Sequence, residues 1–381
     1  MLSFEKYCKF YLIGYLNNYR VSQSFGGSLN NESFQEKKVK FTLDYLGIRI
    51  RDIGLIIKLI PLINYFELLF AFLIVSIRLP YVFIKRIFSA RTEYCGMLFN
   101  PSLTYSSFRV KKYLEPIHPE NIHTLKIPFI KHNYVENDIS ILTGVSYKDI
   151  LYSYLYSLKI ISYMFIKYRK RDCFFRSFSS FEYLLTCCFV KNTDADNRFV
   201  YFNTFDRWAI LFCNCKHSIF IQHGSLTDDR LIKIGTPHIA YYISKGQKSI
   251  LERNLFREYP SIVRYRPTLE LTEIKDNLNN GKKNVLLVCC NQRIKEEWLI
   301  VKQISSLVNL YIKPHPADTH NSTYTKMSVE YNCVIVSKSE YPNVDLVISY
   351  ESTLADEYEE VGIRVIRYEK LSNLCEIESL V

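Results

Sequence analysis

Short apolar runs alternate with helix-length amphipathic stretches through the second half of the chain. Residues 199–202, 218–221 and 238–244 read as strands. Between the first two, Asn203 or Thr204 is placed to cap a helix carrying Asp206, Trp208 and Leu211. A helix over 247–256 follows the third. After a charged, asparagine-rich interval, 284–290 is a continuous apolar run, the pattern of a strand buried on both faces of a parallel sheet. The pattern then predicts a helix over 296–307, strands at 310–312, 334–336 and 345–348, a helix over 352–361 and a strand at 365–366. Strand and helix in regular alternation predict an α/β protein with doubly wound parallel sheets.

The first half is different. Residues 1–50 are mixed and broken by a Gly/Ser/Asn-rich stretch at 22–31, and 53–90 reads as one long helix. Mixed α/β patterning begins near 126. These shifts divide the chain into an N-terminal domain at 1–265, mostly helical over 1–125, a linker at 266–283, and a C-terminal domain at 284–381. No internal repeat or low-complexity tract is evident.

Charge follows the same division. The chain of 381 residues carries a net charge of +11. Residues 1–190 hold 25 Lys+Arg against 14 Asp+Glu, and the remainder is balanced. That basic half also contains the most apolar segment, 59–77, whose only charge is Glu67. Its length just reaches across a bilayer, but Pro61, Asn64 and Glu67 argue against a clean span. A helix lying in the interface of an anionic membrane, flanked by Lys58, Arg78, Lys85 and Arg86, is the favoured reading. A buried core helix is the alternative. Aromatic residues are abundant but fall in no RNA-binding-sheet or zinc-finger pattern, so nucleic acid is not expected as a partner. The 11 cysteines show no disulfide-framework spacing, which fits a reducing, cytosolic setting. Cys213-Asn214-Cys215 is spaced too tightly for a structural zinc site and reads as a helix end.

Three groups carry candidate chemistry, each where a predicted strand ends. In open α/β sheets the ligand crevice lies at the carboxyl ends of the strands. Gln222-His223-Gly224-Ser225 presents a histidine on a sharp turn, and His223 is suited to take a proton from an attacking hydroxyl, with Asp228 or Asp229 placed to orient it. In Lys313-Pro314-His315-Pro316 the prolines stop the strand and stiffen the turn, fixing a cation and an imidazole suited to phosphate. At Ser349-Tyr350-Glu351-Ser352-Thr353 a strand passes into a helix. Ser352 or Thr353 caps that helix, and its first amides form a ready anion site.

The order HG at His223-Gly224, KPHP at Lys313–Pro316, then a Ser/Thr-rich helix start followed by Glu357 and Gly362, resembles bacterial glycosyltransferases of the two-Rossmann-domain (GT-B) type that build surface polysaccharides. Two subgroups are similar: CMP-sugar-using sialyl- and capsular Kdo transferases, and CDP-glycerol glycerophosphotransferases. The resemblance covers roughly residues 199–381. Asn137-Asp138 lacks the glycine of one sialyltransferase motif, and Gln222 stands where the glycerophosphotransferases have tryptophan.

The resemblance implies two Rossmann-like domains facing a central cleft, and an inverting, metal-independent transferase with no cofactor beyond its nucleotide-sugar substrate. His223 would be the base, supported by Gly224, Ser225 and Asp228. Lys313 and His315 would hold the donor phosphate, Ser349, Ser352 and Thr353 the phosphate or nucleotide, and Glu357 the ribose. The partners would be a nucleotide-sugar donor, a glycan or lipid-linked glycan of capsule or O-antigen, and the inner face of the plasma membrane. A glycerophosphotransferase and a non-catalytic scaffold of polysaccharide assembly are the competing expectations.

Overall fold

The structure is a computed structural model that describes residues 4–24, 53–90, 94, 97–100, 122–130, 138–168, 179–195, 197–202, 204–222, 224, 226, 231–266, 269–274, 281–290, 293–314, 321–337, 340–350, 352–368 and 377–381. It is a mixed α/β protein that divides into two units. Unit 1 comprises Met1–Gln222, Leu226–Tyr241 and Ser249–Arg264; unit 2 comprises His223–Ser225, Tyr242–Lys248 and Tyr265–Val381.

Unit 1 carries helices α1 (Phe4–Ser24), α2 (Ile53–Ile87), α3 (Tyr147–Tyr168), α4 (Ser180–Thr193) and α5 (Arg207–Phe212). Its strands are β1 (Leu98–Asn100), β2 (Ile122–Lys126), β3 (Asp138–Ser140), β4 (Arg198–Tyr201) and β5 (Ser218–Ile221), with β6 (Ile239–Tyr242) and β7 (Ile262–Tyr265) falling almost wholly within it. The sheet order is β3-β2-β1-β4-β5-β6-β7. The pairs from β3 through β6 are parallel, as the expected crossovers require. Helix α6 (Lys245–Asn254) follows β6.

The long helix expected over 53–90 is α2, and the apolar segment 59–77 lies inside it. Among the described residues, no helix is long and apolar enough to cross a membrane. Strands β1, β2 and β3 were not anticipated. They are three to five residues long, and β2 carries His123 and Thr124, so neither period nor composition marks them.

The helical cover of unit 1 is built around α4, whose residues are buried on nearly every side. That explains why Phe181, Tyr183, Leu184, Leu185, Cys187, Cys188, Phe189 and Val190 fall on all sides of it, since a helix covered nearly all round needs no polar face. Its one carboxylate, Glu182, is ion-paired with Arg78 of α2, and the Arg78 guanidinium also lies 4.9 Å from the Phe129 ring centroid. Helix α1 passes so close to α5 that a Cβ on Gly14 would meet Arg207 N at 2.5 Å. Asn17 clamps the same helix to the 231–234 segment, donating to Ile232 O at 3.0 Å and accepting from Ile232 N at 2.8 Å.

The cap of α5 differs from expectation. Asp206, in extended backbone, accepts from Ala209 N at 2.9 Å, so the helix starts after Asp206 and not at Asn203 or Thr204. An aspartate reaches the N3 amide as well as a threonine does, and here it directly precedes Arg207. The Cys213-Asn214-Cys215 run closes this helix. Cys213 and Cys215 donate to the carbonyls of Ile210 and Leu211, and burial pushes the Cys213 thiol up to about 12.

Unit 2 holds β8 (Asn284–Val288), α7 (Ile294–Ile304), β9 (Asn309–Lys313), α8 (Asn321–Tyr331), β10 (Val334–Ile335), β11 (Leu346–Ser349), α9 (Thr353–Glu360), β12 (Arg364–Arg367) and α10 (Ile377–Leu380). Its sheet is parallel throughout, in the order β10-β9-β8-β11-β12. Side chains alternate between two cores. Val285, Leu287, Leu310, Ile312, Leu346 and Ile348 pack on one face with α7 and α8. Leu286, Val288, Tyr311 and Val347 pack on the other, with Tyr358 of α9. Strands buried on both faces read as continuous apolar runs, which is why 284–290 and its neighbours were visible in the sequence. Residues 269–274, within the stretch expected to link the domains, instead join this unit. Leu269 enters its core, and Thr272 donates its N–H to Tyr341 O at 2.7 Å and accepts from Asn343 N at 2.8 Å.

Candidate functional site

The central strand β8 of unit 2 has β9 on one side and β11 on the other. The chain visits β9 and β10 first and then crosses to β11 and β12. The winding therefore reverses beside β8, and the carboxyl ends of β8 and β11 form the switch point where ligands of open α/β sheets sit. The residues that follow these two strands define the candidate site.

After β11, Ser352 adopts extended backbone and its hydroxyl accepts from Leu354 N at 3.2 Å. Of the two caps the sequence offered, Ser352 and Thr353, it is Ser352 that fills the role. Helix α9 begins at Thr353 and presents the positive end of its dipole at the sheet edge. Gly224, from the short 223–225 segment of unit 2, approaches this helix start; a Cβ there would stand 3.8 Å from Thr353 Oγ1. Two of the three sequence motifs thus meet at one point.

After β8, the backbone N–H of Cys290 donates to the Glu297 carboxylate of α7. Glu297 is fully buried and also accepts from Tyr324 Oη at 2.9 Å and Tyr368 Oη at 3.5 Å. A buried carboxylate with three donors is satisfied, and here it fixes where the chain leaves β8. Arg293 then reaches across to the loop after β11. It donates to Tyr350 Oη at 3.0 Å, with its guanidinium 4.6 Å from the Tyr350 ring centroid, and pairs with Glu296 at 3.1 Å. Burial is the largest influence on Arg293 and lowers its pKa, but its hydrogen bonds to Tyr350 and Glu296 outweigh it and raise the pKa. Arg293, Tyr350 and Glu297 were not singled out in the sequence. The available signal was position: a cation and a polar loop directly after the most apolar strand.

The other expected residues are placed as follows. Lys313 ends β9 and is buried, its ammonium donating to Ser337 O at 2.7 Å and Glu340 O at 2.6 Å, 4.7 Å from the Tyr341 ring centroid. It therefore ties the 337–341 segment to the sheet edge. Ser349 is buried at the end of β11 and donates to Val288 O at 3.3 Å, joining β11 to β8. Glu357 lies on the covered face of α9, 8% exposed, and pairs with Arg266 at 2.9 Å. Gly362 follows in the left-handed region at φ 85°, and the amides of Gly362 and Ile363 bond back to Glu359 and Tyr358. The glutamate-to-glycine spacing thus has a local cause, a helix carrying Glu357 and the glycine that stops it. His223, Ser225, Asp228 and His315 lie outside the described residues. Among the described residues no group of three or more His, Cys, Asp or Glu side chains is arranged to hold a metal.

Fold and site together define a class: an α/β protein with two parallel sheets and an anion-suited helix start at the switch point of the second. No protein-family model matches the chain, and no curated protein sequence matches it.

Proposed function

We propose that the chain is a glycosyltransferase with two Rossmann-like units of the GT-B type, using a nucleotide-activated sugar. The observation that supports this reading is the approach of Gly224, the glycine of the HG motif, to Thr353 at the start of α9, an anion-suited helix end. In an inverting displacement the base and the leaving-group stabiliser flank the anomeric carbon from opposite faces.

In this reading the acceptor hydroxyl attacks the anomeric carbon and gives its proton to His223. The bond from that carbon to the donor phosphate oxygen breaks, and the electron pair leaves with the nucleotide. The first amides of α9 stabilise the charge that grows on that oxygen, a role that fixed dipoles perform without reorganising. On the motif resemblance, His315 would bind the same phosphate. Lys313 shapes that edge through its two carbonyl partners and adds positive potential. Glu357 acts by holding Arg266, so its part is positioning. Cytidine is the favoured base, on the motif resemblance.

Thermal-shift screening of the full chain against CMP-sugars, UDP-sugars and CDP-glycerol tests the reading. Stabilisation by a nucleotide-sugar supports it. Stabilisation by CDP-glycerol alone would move attack from carbon to phosphorus, and no response to any nucleotide would favour a non-catalytic scaffold.

A further inference from the structure

Among the described residues, more than half of the large apolar side chains that stand exposed lie on or directly after two helices, α2 and α3. The two pack against each other and run in opposite directions. Ser76 bonds Tyr154 at 3.0 Å, and Phe83, seven residues on, stacks on Tyr147, seven residues back. Each buries one face toward the rest of unit 1, through Ala71, Val75 and Val82 on α2 and Ile150, Ile160 and Met164 on α3. The opposite faces are apolar too. Leu73, Ile77 and Ile84 of α2 and Leu151, Leu155 and Ile166 of α3 are exposed, Ile166 to 82%. On a helix these positions recur at steps of four, seven and eleven, so each set forms a stripe.

The charges on these stripes have one sign. Lys85, Lys148, Lys159 and Lys167 are exposed, while neither helix exposes a carboxylate among its described side chains. Asp149 is half-buried and accepts from Ser146 N and Ser146 Oγ at the start of α3. Each lysine also lies over a tyrosine of its own helix. Lys85 is 5.7 Å from the Tyr81 ring centroid, Lys148 5.6 Å from Tyr152, Lys159 5.7 Å from Tyr156 and Lys167 5.3 Å from Tyr163. Leucine and isoleucine between tyrosines, with ammonium groups beside the rings, is the layering of an interfacial surface. Aliphatic groups enter the acyl region, tyrosines sit at headgroup depth, and lysines reach lipid phosphates.

We infer that the paired outer faces of α2 and α3 form a docking surface for an anionic lipid membrane, on which unit 1 lies with both helices in the plane. Charge selects this occupant over a second copy of the chain, because two such faces would set lysine against lysine with no exposed acid among the described side chains of either helix to answer them. The inference is independent of the transferase reading.

The test is flotation of the full chain with vesicles of phosphatidylcholine alone and of phosphatidylcholine mixed with phosphatidylglycerol, at low and high salt. The chain floats with the anionic vesicles at low salt, weakens at high salt and stays behind with the neutral ones. Leu155→Glu, Ile84→Glu and the pair Lys148→Glu with Lys159→Glu each lower the floated fraction about tenfold. Val329→Glu, at an 81% exposed position of unit 2, leaves it unchanged. Equal flotation with neutral vesicles, no flotation at all, or an equal loss in Val329→Glu would overturn the inference. So would a dimer in solution that these same α2 and α3 substitutions dissociate.

Discussion

Both units bury an ion pair, Arg78 with Glu182 in unit 1 and Arg266 with Glu357 in unit 2, and they differ in what they expose. Unit 2 buries its sheet between two apolar cores, with successive side chains of β8, β9 and β11 entering alternate faces. Unit 1 buries an ion pair, Arg78 with Glu182, beneath its helices while leaving leucines and isoleucines of α2 and α3 in the open. Burial of apolar surface explains unit 2 as a folded body. In unit 1 part of that resource is directed outward, and a charge is held inside at a desolvation cost its partner must offset. Surplus apolar exposure of this kind marks a surface with a use beyond folding.

The largest break in the comparison comes from Arg78→Ala, which leaves Glu182 buried without its partner. It lowers stability by about 3–5 kcal/mol in a urea melt. Leu287→Ala opens a cavity in the first core of unit 2 and costs about 2–5 kcal/mol, read as an earlier unfolding midpoint. Gly14→Ala forces α1 away from Arg207 and costs about 1–3 kcal/mol by the same melt. Asp206→Ala removes the cap of α5 and costs about 1 kcal/mol.

The finest distinction is in pH. Burial, only partly countered by Arg78, raises the Glu182 pKa above the usual carboxylate value. Between the ordinary value and the raised one the folded state holds a proton that the unfolded state has lost. The contribution of this group is therefore fully present below the unfolded pKa and declines as pH rises through the folded one. Glu182→Gln flattens that decline in melts run across the acidic range. A slope unchanged by the substitution would place its origin elsewhere.

The contrast also explains what could be read from the chain. Strand β5 and helix α9 fell where the apolar runs put them, within a residue, and Ser352 proved to be the cap its position suggested. These elements obey one period and one packing environment. Strands β1 to β3 were missed because three to five residues cannot show a period, and α8 because its polar sequence carries few apolar marks. At the site, motifs located Gly224, Lys313, Ser349 and Ser352 at strand ends, yet side-chain partners were illegible. That Lys313 would be held by two carbonyls, or Glu357 by Arg266, depends on residues brought together only by the crossovers. Arg293 and Tyr350 escaped notice for the same reason, since their contact joins loops from two different strands.

The helix start at Ser352 and Thr353 is where the account concentrates its chemistry, so nucleotide binding there is the direct measurement. Calorimetric titration of the full chain with CMP-sugar, UDP-sugar and CDP-glycerol, repeated on Thr353→Val, decides it. The account predicts one nucleotide-sugar bound per chain and affinity reduced about tenfold in the variant, the loss of one anion-facing hydroxyl contact. No heat of binding with any of the three, or equal affinity in Thr353→Val, would contradict it.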